Sequence, residues 1–362
     1  MKPLRLALIL PGVVLLLVVV LGFTGLGLAP LPFDEAAWRR KVESCRPRLL
    51  RATHRDEQGR FFNPWLRQQR SLWRLVRWRL SRNSLDTGGQ APPPAPRVAN
   101  PGSYLKDPKA PASLTWVGHA TFVIQWGGQV VVTDPFFSRR ALVVERLVPP
   151  AFGPQAIPAG AVVLISHNHY DHLDADSVAA LGERVLFLCP RGLGPLIREM
   201  GGRRVRELDW WQSLEVGGTR FTFLPLQHWS RRLGQSYNQS LWGGWLLQRG
   251  GRKIFYGGDS GYFVGFKEFG RLFPGIEVAL LPVGAYQPRW FMHYAHMDVA
   301  EALRAFSELG ARIMVPTQWG VLKLGDEPAS WPVVELRRAL ARRPKLRERV
   351  KILPVGGRLL LP

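Results

Sequence analysis

The sequence contains Leu164-Ile-Ser-His-Asn-His-Tyr-Asp-His-Leu-Asp174, in which three histidines and one aspartate fall within six positions. The apolar run Ala161-Val-Val-Leu-Ile165 leads into it and predicts a buried strand that ends in a functional loop. Imidazole and carboxylate groups are ligands of zinc and iron, and alternate side chains on an extended turn can converge on one ion. Because the chain has only 8 histidines, this concentration indicates a metal site rather than a solvated turn. The candidate ligands are His167, His169, Asp171 and His172.

Two more polar residues follow apolar runs in the same manner. His228 comes after Phe223-Leu-Pro-Leu-Gln227, and Asp259 comes after Phe255-Tyr-Gly-Gly258. Either residue alone could be a core histidine or a helix cap. Their shared placement at predicted strand ends, where functional groups collect, makes both of them candidate ligands.

The chain after residue 111 alternates short apolar runs with helical patterns. Strands are predicted at 114–117, 122–126, 129–133, 161–165, 185–189, 221–224, 241–247, 253–256, 278–283 and 313–316. Helices are predicted at 174–181, 298–309 and 332–349. Strands come first in each half and helices follow, which predicts an α/β (α+β) domain over 112–362 with two sheets packed face to face and helices outside.

The composition is strongly basic, which limits the kinds of partner that the protein is expected to bind. The 362 residues include 49 Lys and Arg against 27 Asp and Glu, for a formal net charge of +22. Such a surface favours polyanions, and the two candidates are nucleic acid and anionic lipid. The two cysteines, Cys45 and Cys189, lie far apart, so neither a disulfide framework nor a zinc finger is expected.

Residues 1–33 have the composition of a membrane segment. Leu6 to Phe33 is almost wholly apolar and follows a short basic start. About 20 apolar residues span a bilayer, whereas the apolar part of a cleaved signal peptide has about 7–15. We therefore expect a single retained anchor in a bacterial inner membrane, with the side of the catalytic domain left open. A cleaved signal peptide is the alternative, because Gly25-Leu-Gly-Leu-Ala-Pro30 offers the small residues of a cleavage site.

Residues 34–87 form a basic segment rich in tryptophan. Its arginines and its apolar residues recur on opposite sides at helical spacing, namely Arg67, Arg70, Arg74 and Arg77 against Trp65, Leu72, Trp73, Val76 and Leu80. The pattern predicts an amphipathic helix that either lies in a membrane interface or packs on the catalytic domain. The run Gly88-Gly-Gln-Ala-Pro-Pro-Pro-Ala-Pro96 predicts a Pro/Gly-rich linker over 88–111.

Further segments form an ordered series across roughly 60–330. They are Asn63-Pro-Trp65, Thr115-Trp-Val-Gly-His-Ala-Thr121, Thr133-Asp-Pro-Phe-Phe-Ser138, Glu207-Leu-Asp-Trp-Trp211, Gln227-His-Trp229, Leu241-Trp-Gly-Gly244, Gly258-Asp-Ser-Gly-Tyr262 and Gly284-Ala-Tyr-Gln-Pro-Arg-Trp-Phe-Met292. With His-x-His-x-Asp-His at 167–172, this series resembles the metallo-β-lactamase superfamily of binuclear hydrolases. Within it, the sequence is most similar to the N-acyl-phosphatidylethanolamine-hydrolysing phospholipase D family. The resemblance implies a four-layer αββα sandwich.

The resemblance also implies two zinc ions and assigns their ligands. The first ion would be held by His167, His169 and His228, the second by Asp171 and His172, with Asp259 bridging them. Two such ions about 3.5–4 Å apart would share a hydroxide that attacks phosphorus, and would stabilise charge on the attacking and leaving oxygens.

Other residues take supporting roles by the same resemblance. Asp171 and Asp259 take part in catalysis through the metals. His296 would protonate the leaving alkoxide or hold the phosphate, unless it is a structural histidine at a helix start. His119 and Asp134 would fix the orientation of ligands rather than bind metal.

The sequence departs from the family at Gln318, within Pro316-Thr-Gln-Trp-Gly320, where the family has a metal-binding histidine. An amide oxygen is a weaker, neutral ligand for zinc than imidazole. Our hypothesis is a labile second ion that Gln318 binds weakly or through water. A mononuclear enzyme is the alternative, and His293 is a possible substitute ligand.

The function implied is a metal-dependent phosphodiesterase of phospholipase D type, which hydrolyses N-acyl-phosphatidylethanolamine-like lipids to phosphatidic acid and an N-acylethanolamine. The anchor, the Trp/Arg segment and the positive charge suit work on an anionic bilayer. The alternatives are a hydrolase of lactones or soluble phosphodiesters, and a lipid-binding relative with weak turnover. The membrane segment argues against nucleic acid as a substrate. The family also implies a homodimer.

Overall fold

The computed structural model describes residues 27–68, 72–81, 85 and 87–361, and two large sheets lie at its centre. In spatial order the first sheet contains Arg204–Leu208 (β10), Leu186–Pro190 (β9), Val162–Leu164 (β8), Gln129–Thr133 (β5), Thr121–Trp126 (β4), Ser113–Gly118 (β3) and Arg358–Leu360 (β17). The second contains Ser213–Val216 (β11), Thr219–Leu224 (β12), Gly244–Arg249 (β13), Arg252–Tyr256 (β14), Val278–Pro282 (β15) and Ile313–Thr317 (β16). Two hairpins pair His54–Arg55 (β1) with Phe61–Phe62 (β2), and Arg140–Ala141 (β6) with Val144–Glu145 (β7).

The helices of the described chain are mostly short. They are Glu35–Glu43 (α1), Leu72–Leu80 (α2), Ala175–Leu181 (α3), Gly194–Glu199 (α4), Gly265–Leu272 (α5), Arg289–Met292 (α6), Val299–Leu309 (α7), Trp331–Ala341 (α8) and Pro344–Arg347 (α9). Short 3₁₀ turns cover Pro47–Arg51, Ser103–Lys106, Pro154–Ala156 and Gly182–Arg184. The helix predicted at 332–349 is therefore interrupted, because residues 342 and 343 leave the helical conformation before Pro344 starts a new turn.

The strand directions bring the candidate residues to matching edges. β5 and β8 are parallel neighbours, so the residues that follow them, Asp134 and the loop at 165–174, lie at the same edge of the first sheet. In the second sheet β14, β15 and β16 are also parallel, which places Asp259 and Gln318 beyond one edge. The fold thus collects distant parts of the sequence at one place.

The two sheets share one buried core. The Trp245 indole on β13 is fully buried and donates to the carbonyl of Ile165 at 3.0 Å, which joins the second sheet to the loop after β8. Gly258, at φ +44°, lies so close to this loop that an added Cβ would be 2.8 Å from Cβ of Ser166, so glycine is required there. The mixed α/β fold predicted from the sequence, with two large sheets, is confirmed.

The segment before the first large sheet is part of the same body. Trp65 is buried and its indole donates to Oε1 of Gln227 at 3.3 Å. Asn63 donates to the carbonyl of His228 at 3.1 Å, directly beside a candidate ligand. This segment therefore packs on the catalytic domain, which is one of the two arrangements that its pattern allowed.

The amphipathic helix is shorter than its pattern predicted. It covers Leu72–Leu80, whereas Trp65 lies in a turn and Arg67 in irregular chain. Burial of the Trp65 ring in the main core accounts for the shorter helix, because this packing outweighs the helical spacing of the sequence. Arg70 lies outside the described residues.

The Pro/Gly-rich stretch at 88–111 packs along the catalytic domain. The amide of Ala95 donates to the carbonyl of Gly320 at 2.9 Å, and the amide of Val98 donates to the carbonyl of Val355 at 2.8 Å. Ala95 and Leu105 are buried. A proline-rich composition therefore does not mark an independent hinge here.

The expected membrane anchor falls mostly on residues 1–26, which lie outside the described residues. In the part of the chain that the structure covers, no helix has both the length and the apolar character needed to cross a bilayer.

Replacing Trp245 by alanine should destabilise the protein strongly. The change leaves a cavity between the sheets and deprives the carbonyl of Ile165 of its donor, so the free energy of unfolding should fall by about 3–5 kcal/mol. Denaturant unfolding followed by circular dichroism measures this. Val143→Ala, at a side chain that is 78% exposed, is the control and should stay within about 0.5 kcal/mol. Equal small effects in both variants would contradict the assigned role of Trp245.

Candidate metal centre

The signature stretch, residues 164–174, forms a tight loop between β8 and α3, called the signature loop below. The amide of His172 donates to the carbonyl of His169 at 3.1 Å, and that of Leu173 donates to the same carbonyl at 2.8 Å. Asp174 then caps α3 by accepting from the amide of Ser177 at 3.2 Å. A buried strand on one side and a capped helix on the other hold the loop in place.

A first group of side chains converges on one point. His167, His169, His228 and Asp259 each offer a nitrogen or oxygen within 4.8 Å of the others. Nε2 of His167 lies 2.7 Å from Nδ1 of His169, which lies 3.2 Å from Nε2 of His228. Oδ2 of Asp259 lies 3.8 Å from Nε2 of His167 and 3.6 Å from Nε2 of His228. The structure thus brings together four of the residues proposed from the sequence.

A second group lies against the first. It contains His119, Asp171 and His172, with their nearest polar atoms also within 4.8 Å. Oδ2 of Asp171 is 2.9 Å from Nε2 of His119 and 3.3 Å from Nε2 of His172. Nε2 of His172 is in turn 3.1 Å from Oδ1 of Asp259. The two oxygens of Asp259 therefore face the two groups, which is the geometry of a bridging carboxylate.

These residues fit a bound cation. Zinc binds nitrogen at about 2.0–2.1 Å, so the ligand atoms of a tetrahedral site lie about 3.3 Å apart. The four separations given above for the first group run from 2.7 Å to 3.8 Å, and all its ligand atoms lie within 4.8 Å of one another. Nε2 of His172 and Oδ1 of Asp259 are buried and lie 3.1 Å apart, but their contact lacks hydrogen-bond geometry and neither atom has a hydrogen bond to another described residue. Buried polar atoms without partners are rare, and an ion between them would satisfy both.

The electrostatics of the site favour positive charge. Burial lowers the pKa of His167 and His228 well below the ordinary value, so both rings are neutral and offer lone pairs. Burial also lowers the pKa of His172, but the carboxylates of Asp259, Asp171 and Asp134 outweigh it and raise that pKa well above its usual range. The carboxylates that raise the pKa of His172 would also attract a divalent ion to this site.

Asp134 fixes one of the rings from behind. It is fully buried, and its Oδ2 lies 2.6 Å from Nδ1 of His172. The same carboxylate accepts the amide of Ser166 at 2.7 Å and the hydroxyl of Tyr256. His172 therefore points Nε2 towards Asp171 and Asp259. This is the arrangement expected of a residue that orients a ligand.

Arg232 holds the signature loop from the other side, and no pattern in the sequence marked it. One guanidinium nitrogen donates to the carbonyl of Asn168 at 2.9 Å and to that of Leu173 at 2.7 Å. The group also lies 3.9 Å from the centre of the Tyr170 ring. Only its position four residues after His228 could have suggested that it couples the two ligand-bearing loops.

Gln318 lies at the border of the second group. Its side-chain amide donates to the carbonyl of Gly258 at 3.0 Å, and its backbone amide donates to the carbonyl of His119 at 3.2 Å. The side-chain nitrogen Nε2 is thus hydrogen-bonded to the backbone, so any contact of Gln318 with a metal would be through Oε1.

The two histidines of the 293–296 segment differ in position. Nδ1 of His296 is buried, lies 4.0 Å from Oδ2 of Asp259, and has no hydrogen-bond partner among the described residues. His293 instead donates Nδ1–H to the carbonyl of Arg289 and packs against Phe33, with burial lowering its pKa to about 4. Among the described residues, His293 belongs to neither group of converging side chains, and its role as a substitute ligand stays a prediction.

A cavity of about 670 Å³ adjoins the metal centre through His296. Its walls combine aromatic and apolar side chains with four cations, and they come from both the N-terminal segment and the catalytic domain. The lining residues are Trp38, Lys41, Arg67, Gln68, Arg74, Leu75, Trp78, Trp229, Arg231, Tyr237, Phe291, Met292, His293, Tyr294, Ala295 and His296. Volume and lining are those of a site for a partly apolar ligand.

Arg232→Gln should weaken metal binding without unfolding the protein. Glutamine cannot bridge the two carbonyls, so the loop that carries His169 loses its clamp and the affinity for metal should fall about 10- to 100-fold. Competition with a chromophoric chelator measures the affinity, and circular dichroism verifies the fold. Arg203→Gln, at an exposed arginine of the same charge, is the control. An unchanged affinity in Arg232→Gln would show that the clamp is not needed.

Comparison with known proteins agrees with this geometry. Residues 129–319 match the model of the beta-lactamase superfamily domain. The uncharacterized protein Rv0906 of Mycobacterium tuberculosis is 36% identical over 73% of this chain and 72% of its own length. The N-acyl-phosphatidylethanolamine-hydrolyzing phospholipase D 1 of Caenorhabditis elegans is 34% identical over 58% of this chain and 64% of its own length.

The fold is also found among solved structures. The isothiocyanate hydrolase from Delia radicum gut bacteria superposes with a TM-score of 0.58 at 18% identity, over 69% of this chain and 99% of that one. The family match spans the strands and loops that carry the signature stretch, His228, Asp259 and Gln318. The chain belongs to the metallo-β-lactamase superfamily and is a metal-dependent hydrolase of that superfamily.

Proposed function

We propose that the protein hydrolyses phospholipids of the N-acyl-phosphatidylethanolamine type, with phosphatidic acid and an N-acylethanolamine as products. The observation that carries this proposal is the cavity beside the metal centre, because its walls match both ends of such a lipid. The similarity to the phospholipase D of Caenorhabditis elegans supports the same choice.

The aromatic lining residues of the cavity suit hydrocarbon. Trp78 and Phe291 stack with ring centres 4.7 Å apart, and both line the cavity. Trp229 lines it as well, and its ring centre lies 4.2 Å from that of His169. Apolar walls therefore extend from the N-terminal segment to the metal ligands. An acyl chain buried along them is stabilised in proportion to the apolar area removed from water.

The basic lining residues of the same cavity suit an anion. Its lining includes Lys41, Arg67, Arg74 and Arg231, and no carboxylate residue is among the described residues that line it. Arg74 donates to the carbonyl of Trp290 at 2.6 Å, while no described acid forms an ion pair with Lys41, Arg67 or Arg231. A phosphodiester carries one negative charge, and cations near its path attract it and retain it.

The chemistry requires a water, a phosphodiester and a proton for the leaving group. A divalent ion held by the two groups would supply a Lewis acid for the phosphoryl oxygens and would lower the pKa of a water molecule. The water oxygen forms a new bond to phosphorus, the bond from phosphorus to the ethanolamine oxygen breaks, and that oxygen takes up a proton. We assign to His296 the hydrogen bond at Nδ1 that steadies the phosphate or the leaving oxygen.

The same proposal includes work at a membrane surface and zinc as the metal. Trp73 and Leu75 on α2 are 59% and 40% exposed, and arginines share this helix. Exposed apolar and basic residues on one short helix beside the cavity favour contact with an anionic bilayer. Histidine and aspartate ligands with separations near those of a tetrahedron favour zinc, with two ions bridged by Asp259. The homodimer implied by the family stays a prediction.

Asp259→Asn should abolish lipid hydrolysis while the protein stays folded. The amide cannot bridge two ions as a carboxylate does, so the rate should fall by about 100-fold or more. Purified protein is offered N-acyl-phosphatidylethanolamine, phosphatidylethanolamine, a lactone, RNA and a soluble phosphodiester, and products are identified by mass spectrometry. Glu199→Gln, at an exposed acid, is the control and should retain full activity. Cleavage of the lactone or RNA without any lipid turnover would overturn the proposed substrate.

Leu75→Asp should weaken lipid use selectively. A carboxylate in place of this leucine removes apolar contact with the acyl chain and sets a charged group against it, so KM for lipid should rise about 10-fold with little change in kcat. Hydrolysis of a small soluble phosphodiester by the same variant should stay unchanged. Leu360→Asp, at a 60% exposed leucine on β17, is the control. Equal KM values for both variants would show that the lipid does not use this wall.

A further inference from the structure

We infer that His119 is a metal ligand, and that it completes the second position of the metal centre together with Asp171, His172 and Asp259. A histidine at 119 would thereby supply the imidazole that position 318 lacks in this chain. The inference rests on the metal-dependent site of the proposed function but not on its phospholipid substrate.

The distances around Asp171 carry the inference. Nε2 of His119 lies 2.9 Å from Oδ2 of Asp171, and Nε2 of His172 lies 3.3 Å from the same oxygen. Nε2 of His172 lies 3.1 Å from Oδ1 of Asp259. These separations are close to the edges of about 3.3 Å that a tetrahedral zinc site requires. All three polar atoms of His119, Asp171 and His172 lie within 4.8 Å of one another.

The backbone holds His119 in an unusual conformation that directs its ring to this point. Its φ is +53°, in the left-handed region that non-glycine residues adopt infrequently. Its carbonyl accepts the indole N–H of Trp116 at 2.9 Å and the backbone amide of Gln318 at 3.2 Å. Such strain persists where the surroundings determine it, and it is concentrated at functional sites. The ring itself is 1% exposed.

Because residue 318 is a glutamine, the second metal position lacks an imidazole there and can take one from another residue. Its side-chain nitrogen is committed to the carbonyl of Gly258, the residue directly before Asp259. The oxygen that remains is a neutral amide oxygen, which zinc prefers less than imidazole. Since the backbone of Gln318 also contacts that of His119, the two residues border the same position.

The alternative role for His119 is to orient Asp171 through a hydrogen bond from Nε2–H. Without an ion, Nε2–H donates to Asp171. Nδ1 of His119 is buried and has no hydrogen-bond partner among the described residues, so the proton can reside there when an ion binds Nε2. The two roles predict different numbers of imidazoles on the metals. A ligand role gives five, His167, His169, His228, His172 and His119, whereas an orienting role gives four.

The test uses Co²⁺ in place of the native metal and compares the unmodified protein with His119→Gln and with the double variant His119→Gln/Gln318→His. Glutamine keeps a donor for Asp171 but removes the imidazole. We expect the unmodified protein to bind two Co²⁺ ions. In His119→Gln the affinity for the second ion should fall at least 100-fold, and in the double variant it should recover. Two tightly held ions in His119→Gln would overturn the inference. Circular dichroism of the metal-free proteins verifies folding.

A second measurement needs no substitution. Metal-bound histidines in the Co²⁺-loaded protein give exchangeable, strongly shifted N–H resonances, and their number counts the imidazole ligands. Five such resonances are expected and four would overturn the ligand role of His119. Lipid turnover is assayed on the same sample. A five-imidazole centre without lipid turnover would refute the proposed substrate while leaving this inference intact.

Discussion

The buried carboxylate of Asp134 is the constraint on which the rest of the site depends. An ionised group without contact to water is strongly disfavoured unless hydrogen bonds and opposite charge surround it. Asp134 is surrounded by donors from both sheets, namely the amide of Ser166 in the signature loop, Nδ1 of His172 and the hydroxyl of Tyr256 on β14. Satisfying this one charge therefore sets the position of the loop, the orientation of a ligand and the separation of the sheets.

The same principle extends outward to Asp259 and Asp171. Burial raises the pKa of the Asp259 carboxyl, but His172 and the other histidines around it hold that pKa well below its usual value. The histidines and aspartates thus stabilise one another, and an ion among them adds ligand bonds to a preformed arrangement. Arg232 completes the enclosure, since it holds the carbonyls on both sides of the signature loop. A rigid loop is what allows four ligands within six residues to serve a single centre.

The cavity depends on a part of the chain that lies before the superfamily match at 129–319. The N-terminal segment provides Trp38, Leu75 and Trp78 to its wall, and Asn63 of that segment contacts the backbone of His228. The catalytic domain therefore carries the metal centre, and the segment before it forms part of the wall of the adjoining cavity. Differences in substrate between members of one fold arise from such additions.

The sequence predicted the parts of the site that are encoded locally. His167, His169, Asp171 and His172 follow an apolar run, so a strand and a metal loop could be recognised without any knowledge of distant contacts. His228 and Asp259 could be found only because each also follows an apolar run.

Residues whose importance lies in long-range contacts were harder to recognise. Arg232 acts on a loop about 60 positions away, and nothing in its neighbourhood signals this contact. The resemblance to a known family suggested an orienting role for His119, whereas the distances around Asp171 point to a ligand. The length of the amphipathic helix was overestimated, because tertiary packing of Trp65 outweighs helical spacing.

The most direct test of the account measures metal content and lipid hydrolysis on one preparation. The protein is stripped with a chelator, zinc is returned in steps, and release of N-acylethanolamine is followed at each step. We expect hydrolysis to disappear with the metal and to return in proportion to the metal bound by the histidine and aspartate cluster. Lipid hydrolysis that survives complete removal of metal, or metal-replete protein that never hydrolyses the lipid, would contradict it.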